Sequence, residues 1–219
     1  MNTNVGRKQK FIKATSDILQ KEGREGVNIR RIASEAGCTS AVLYKHFDNL
    51  EHLIMLASIQ FLEPYMRKMN DMSADKSLNP IQLNLNLWRS FLHEAFSKRE
   101  YYELMFISGE RFKLKSCVEE YYDIFSEEVD NIDPISAHIL TSTSIQEREL
   151  IRLDMAAEQG LITRDNAKML SQLVEAVFAG RLTQYDESVS PDEAAEECYE
   201  LIISLYSKYV DGEISIRDN

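Results

Sequence analysis

The residue types best suited to metal binding or nucleophilic chemistry are few in this chain, and their spacing builds no site. Its four histidines, His46, His52, His93 and His138, contain no His-x-x-x-His pair on one helical face. Its three cysteines, Cys38, Cys117 and Cys198, are far apart and odd in number, and no Cys-x-x-Cys occurs. That usage fits a reducing cytoplasm and neither a disulfide framework nor a zinc site. No glycine-rich loop could cradle a phosphate, and no Gly-x-Ser-x-Gly elbow is present. The expectation is a chain with no catalytic residues, no metal and no cofactor. Its chemistry is concentrated elsewhere, in Asn28 to Phe47, a stretch rich in hydroxyl, basic and aromatic side chains.

The periodicity of that stretch predicts two short helices and a tight turn. Ile29, Ile32, Ala33 and Ala36 give the first helix one apolar face, and Asn28 stands where a cap is needed. Gly37 ends it, because glycine takes a left-handed backbone at little cost. Thr39 can cap a second helix over Ala41 to Phe47, with Val42, Leu43 and Phe47 turned inward. Helix, turn and helix in this order make the second helix a candidate to enter a DNA major groove.

Charge is distributed to suit that reading. The whole 219-residue chain carries a net charge of -11, which alone argues against a nucleic-acid binder. Residues 1–60, however, hold nine basic and six acidic residues, a net of +3, while the remainder is at -14. One end can meet a polyanion while the other repels it. Arg7, Lys8, Lys10 and Lys13 crowd the first turns of a helix predicted over Arg7–Glu22, where basic groups oppose the helix dipole. An external anion such as phosphate would reconcile them, and a solvated polar face is the alternative.

Beyond Phe47 the pattern is helical throughout. One long helix is predicted from Leu50 to Met69, with Leu53, Leu56, Ala57, Phe61 and Leu62 buried, followed by a loop over 70–79. Further helices are expected over 80–98, 101–107, 117–129 and 134–159, the last bent near Thr141-Ser142-Thr143-Ser144. Two strong helices, Arg164 to Tyr185 and the one begun by Ser190-Pro191-Asp192-Glu193, close the chain. Residues 1–6 and 211–219 read as loose ends. The most apolar stretch, Leu53 to Leu62, is too short to span a bilayer, and no signal peptide is evident. A cytoplasmic protein with no membrane partner is the expectation.

Three segments in fixed order carry a family resemblance: Ile32-Ala33-Ser34-Glu35-Ala36-Gly37-Cys38-Thr39, Leu43-Tyr44-Lys45-His46-Phe47 and Glu51-His52-Leu53. Together they resemble the signature of the tetracycline-repressor (TetR) family of bacterial transcriptional regulators. The resemblance covers about a quarter of the chain. It implies an all-α fold, with a three-helix helix-turn-helix head over residues 1–48 and a helical effector-binding and dimerisation body over 49–219. It also implies a homodimer on double-stranded DNA, at a palindromic operator, released by an unidentified small-molecule effector.

Carried over residue by residue, Thr39, Ser40, Ala41 and Tyr44 fall where the family's second helix meets bases and backbone, and Lys45 and His46 at or beside phosphates. Asn28 and Arg30 are candidates for added backbone contacts. Hydroxyls can bond base edges or phosphates, and a tyrosine can pack on a thymine methyl. The chain departs from the family at Leu50, where a phosphate-binding lysine is common. The body carries no motif specific to one effector. The bulky candidates for its pocket are Trp88, Phe91, Tyr101, Tyr102, Phe106, Tyr121, Tyr122, Phe125 and Met155, with His93 and His138 as possible polar contacts. Dimerisation is expected on the last two helices, through Val174, Val177, Phe178, Arg181, Leu201, Ile202 and Leu205, aided by the small residues Ala176, Ala179 and Gly180. An activator of the same family, a protein-binding adaptor that reads no DNA and, with little to support it, an enzyme remain as competing readings.

Overall fold

A computed structural model describes residues 3–73, 77–126, 139, 142 and 144–212, and among these the regular structure is helical with no strand. The helices are α1 (Thr3–Glu22), α2 (Ile29–Glu35), α3 (Ser40–Leu43), α4 (Leu50–Ile59), α5 (Glu63–Ser73) and α6 (Pro80–Ser97). They continue with α7 (Arg99–Phe106), α8 (Leu114–Ile124), α9 (Ile145–Glu158), α10 (Arg164–Thr183) and α11 (Pro191–Tyr209). No described helix is long and apolar enough to cross a membrane. The chain divides into two compact units. Residues 3–62 and 113–126 form the first, and residues 63–112 with the described residues after 126 form the second.

In the first unit, α1 supplies Phe11, Ile12, Ile18 and Leu19, and α4 is buried from Leu53 to Ile59 on every face. A helix apolar all round must be enclosed, and α4 is, with α1 and α8 both packed on it. Helix α8 is also tied to α1 directly. Gln9 Nε2 donates to the Ile124 carbonyl at 2.8 Å, Lys8 pairs with Glu120, and Lys13 lies over the Phe125 ring at 5.6 Å. Glu120 also bonds His52 Nε2 of α4 at 2.9 Å. The expected division after residue 48 therefore falls inside this unit, because α4 and α8 group with the N-terminal helices.

The long helix expected over Leu50–Met69 is interrupted. Pro64 has no N–H to give the Gln60 carbonyl, so the chain tightens into a 3-10 turn over Gln60–Leu62 and restarts at Glu63. The two units part at this point. Helix α5 then runs on to Ser73, into what was expected to be loop. At the other end, residues 3–6, expected to be loose, belong to α1.

The second unit is built on α6, which packs against α5, α7, α9 and α11. Its start follows the sequence reading. Pro80 opens the helix, and Asn79 and Gln82 exchange side-chain and backbone bonds in a capping box. Thr163 and Ser190 cap α10 and α11 through bonds from Asn166 N and Glu193 N. Ser144 caps α9 in the same way, where the sequence suggested a bend within a longer helix. The upstream part of that helix, and residues 127–129 of the one before it, lie outside the described residues, as do His138 and the tail from 213. Arg99 of α7 donates to the Thr183 and Tyr185 carbonyls at 2.9 and 3.1 Å, satisfying the C-terminus of α10.

Candidate nucleic-acid interface and a buried cavity

Gly37 shapes the turn between α2 and α3. At φ +65° it lets Cys38 N–H reach the Ala33 carbonyl (2.8 Å) while its own N–H bonds the Ser34 carbonyl (3.0 Å). This paired closure ends α2 and redirects the chain into α3. Asn28 Oδ1 accepts from Arg31 N at 3.0 Å and starts α2. Turn bonds extend α3 to Phe47, with Lys45, His46 and Phe47 N–H groups all reaching back to Val42 or Leu43 carbonyls. Leu43 and Phe47 are buried, so the rotation of this segment is set.

That rotation leaves Thr39, Ala41, Tyr44 and Lys45 exposed, with Ser40 half-buried beside them. Tyr44 is 57% exposed, uncommon for a large aromatic side chain. The Thr39 hydroxyl makes no capping bond, so its hydrogen-bonding capacity faces outward. Arg30 is exposed. His46 is different: its ring packs at 6.2 Å from Phe11 and 6.4 Å from Phe47. Burial first, then the positive charges of Lys8, Arg7 and Lys45, push its pKa below the ordinary 6.5. These surroundings favour the neutral form of the imidazole. Of the basic residues of α1, Arg7 and Lys10 are exposed, whereas Lys8 is held by Glu120. An open groove of about 440 Å³ beside Gly37 carries Lys10, Lys13, Lys21 and Arg31 against Asp17 and Glu35. Arg31 is occupied there by Glu22.

In the second unit the aromatic candidates converge on Phe91. Its ring lies within 5.2–5.6 Å of Tyr65, Trp88, Tyr102, Phe106 and Phe178. Tyr121, Tyr122 and Phe125 belong instead to the first unit, where Tyr121 meets Tyr122 edge-on and lies 4.6 Å from the Phe125 ring. Met155 is half-buried on α9 and does not line the cavity that is found. His93 bonds Asp192 at 2.8 Å and Glu196 at 2.6 Å, tying α6 to α11. Burial lowers its pKa, and the two carboxylates more than reverse this, leaving it above 6.5.

The cavity is lined by Tyr65, Trp88, Phe91, Ile145, Arg148 and Arg152. Arg148 donates to the Ser142 carbonyl and lies over the Phe106 ring at 4.8 Å. Arg152 donates to Tyr65 Oη and approaches Met69 Sδ at 3.8 Å. Between them on the helix, Glu149 is fully buried and accepts from Trp88 Nε1 (2.8 Å), Asn84 Nδ2 (3.1 Å) and Tyr206 Oη. Burial raises its pKa, opposed by Tyr206, Arg152, Trp88 and Asn84. Sequence reasoning missed Arg148, Glu149 and Arg152, although a signal was there. Ile145, Arg148, Glu149, Arg152, Leu153 and Ala156 repeat at helical spacing and are all buried, so the charges occupy core positions of the stripe. No cluster of three or more His, Cys, Asp or Glu able to hold a metal occurs among the described residues.

The residues expected at a dimer interface separate by burial. Val174, Phe178 and Ile202 are wholly buried within the chain, at 0% exposure, and present no surface of their own. They face the neighbouring helices because each sits on the inner side of α10 or α11. Val177 and Leu205 are half-buried, Leu201 is 45% exposed, and Arg181 pairs with Glu197. Met169, 47% exposed, joins the same outward side of α10 by its spacing to Leu173, Ala176, Val177 and Gly180.

Comparison with known proteins adds a family. Residues 11–55 match the family described as bacterial regulatory proteins, tetR family. A curated relative, an uncharacterized HTH-type transcriptional regulator YerO of Bacillus subtilis (strain 168), is 30% identical over 74 residues. The match covers 34% of this chain and 26% of that protein, so the chain spans about a quarter of the relative's length. Two solved structures share the fold over nearly their whole length. One, a SmeT–triclosan complex, has a TM-score of 0.57 at 16% identity, covering 96% of this chain and 95% of that one. The other, a TetR-family repressor FadR of Thermus thermophilus in complex with lauroyl-CoA, has 0.55 at 14% identity, covering 97% and 100%.

Proposed function

We propose, for a chain that belongs to the TetR family of bacterial transcriptional regulators, that it is a homodimeric repressor released from a palindromic operator by a small-molecule effector. The observation that carries the DNA-binding part is the exposed edge of Thr39, Ala41, Tyr44 and Lys45 over an inner face sealed by Leu43 and Phe47. Thr39 and Ser40 supply hydroxyls, Tyr44 an apolar ring with a polar tip, and Lys45 a charge for phosphate. Arg30 adds a phosphate contact, and Asn28, its oxygen committed to the cap, has its amide donors to offer. With no Arg, Asn or Gln on the reading helix for a bidentate base contact, DNA shape carries part of the specificity. His46 serves as a packing residue with a neutral donor. In fluorescence anisotropy with DNA from upstream of its own gene, Tyr44→Ala lowers affinity about tenfold and leaves the melting temperature unchanged. Unchanged affinity would instead favour an adaptor that keeps the head and reads no DNA.

A dimer accounts for the outward sides of α10 and α11. Met169, Val177, Leu201 and Leu205 provide apolar surface there, and a Cβ placed on Gly180 would meet nothing within 4 Å. A second copy can approach closely at Ala176 and Gly180, making a four-helix bundle. Sedimentation analysis should give a dimer that Leu201→Glu dissociates. Trp88, Phe91, Tyr102 and Phe106 are the part of the second unit that supports an effector site. The triclosan and lauroyl-CoA complexes of the similar structures favour that reading of the body. An effector acts by its differential affinity for two states of the dimer, only one of which fits two operator half-sites.

A further inference from the structure

Arg152 is 92% buried by its 8% exposure, and its nearest counter-charge, Glu149 one turn back on α9, acts on it through space without a direct ion pair. Its partners are the neutral Tyr65 hydroxyl and the Met69 thioether, and its Nε–H has no acceptor. Among the described residues no carboxylate lies within ion-pair distance of it. Glu149, one position from Arg148 and three from Arg152, has its two oxygens taken by Trp88, Asn84 and Tyr206. Arginine keeps its charge in proteins, and a buried N–H left without an acceptor is unfavourable. Among the described residues the cavity at its tip is lined by a second guanidinium, Arg148, three aromatic rings and an isoleucine, and by no acid. A neutral guest in such a lining offers the open Nε–H of Arg152 no charged acceptor.

We propose that this cavity is the anion subsite of the effector pocket, and that the effector is an organic carboxylate whose head group pairs with Arg152 and whose apolar body lies among Tyr65, Trp88 and Phe91. The inference rests on the reading that the second unit binds an effector, and it names the chemical class. A planar carboxylate matches the guanidinium fork, using the open Nε–H. The cavity leaves about 10 Å³ for the centre of a water-sized molecule, enough for one water or one carboxylate oxygen. The rest of the ligand enters only if the rings around Phe91 move. Binding is thereby coupled to a rearrangement of the core, the condition for a ligand to favour one state over another.

The test uses the full-length protein with phenylacetate, octanoate and decanoate, each beside its primary amide, in thermal shift and titration calorimetry. At least one carboxylate is expected to raise the melting temperature and to bind at least about tenfold more tightly than its amide. Arg152→Met abolishes that response and Arg152→Lys keeps part of it, and a cooperative melt of ligand-free Arg152→Met separates loss of binding from loss of fold. Equal binding of an amide, a response that survives Arg152→Met, or no response to any of the three carboxylates overturns the proposal. Operator release is read in the same samples with the upstream DNA. Release by a neutral compound without a carboxylate response leaves the repressor reading standing and sinks this one. A chain that binds no DNA sinks the repressor reading, while a carboxylate response lost in Arg152→Met would still support the subsite.

Discussion

Among the described residues, the buried polar side chains of the first unit are Thr15, Ser16 and Ser58; those of the second include Asn84, Arg148, Glu149 and Arg152. Thr15 and Ser58 donate to the carbonyl one turn back on their own helices, at 2.8 Å each, and ask nothing of the rest of the core. Ser171 of the second unit bonds locally as well, to the Lys168 carbonyl, but Asn84, Glu149 and Arg152 bond across α5, α6, α9 and α11. The first unit keeps charges on the surface, as Arg30 and Lys45 do, which suits the proposed target, a uniform row of phosphates. The second keeps charges inside, where a guest of the proposed pocket would have to match them one by one. A surface for a generic polyanion tolerates an apolar core behind it, and a discriminating pocket would not.

The sharpest way to break that comparison is to remove a buried polar group from each unit. Glu149→Ala strands three donors and leaves Arg152 with no counter-charge nearby, a loss of about 3–5 kcal/mol in urea unfolding. Ser58→Ala removes one local bond and costs no more than about 1 kcal/mol. Equal losses would mean that the two cores are built alike. A smaller effect separates the units by pH. The His46 pKa lies below 6.5, so its contribution is complete above that pH and is lost as pH falls through the folded value. The His93 pKa lies above 6.5, so its contribution is complete below that pH and is lost as pH rises through the folded value. NMR titration of the ring protons should place the two midpoints on opposite sides of 6.5, and a reversed order would undo the assignment.

The head was readable because its constraints are local. Gly37 must be glycine-like at φ +65°, Asn28 must cap, and Leu43 and Phe47 must face inward, and each of these is written within a few residues. The features that escaped depend on partners distant in sequence. Helix α8 looks like any amphipathic helix of the body, and only its contacts with α1 and α4 assign it to the first unit. Tyr121, Tyr122 and Phe125 thus lie in the first unit, apart from the aromatics around Phe91. On α10 and α11, type alone could not separate Val174, Phe178 and Ile202, which the chain buries itself, from Leu201, which it leaves exposed. Two features carry local signals in the sequence. Pro64 interrupts the long helix, and the Arg148, Glu149, Arg152 spacing puts charges on the buried stripe of α9.

Salt-dependent binding of the purified chain to DNA from upstream of its own gene tests the central claim most directly. Each phosphate neutralised by a residue such as Lys45 or Arg30 should contribute about -0.9 to the slope of log affinity against log salt concentration. The account predicts specific binding with a steep negative slope that becomes shallower by about one in Lys45→Ala. Absent binding, or binding indifferent to salt, would contradict it.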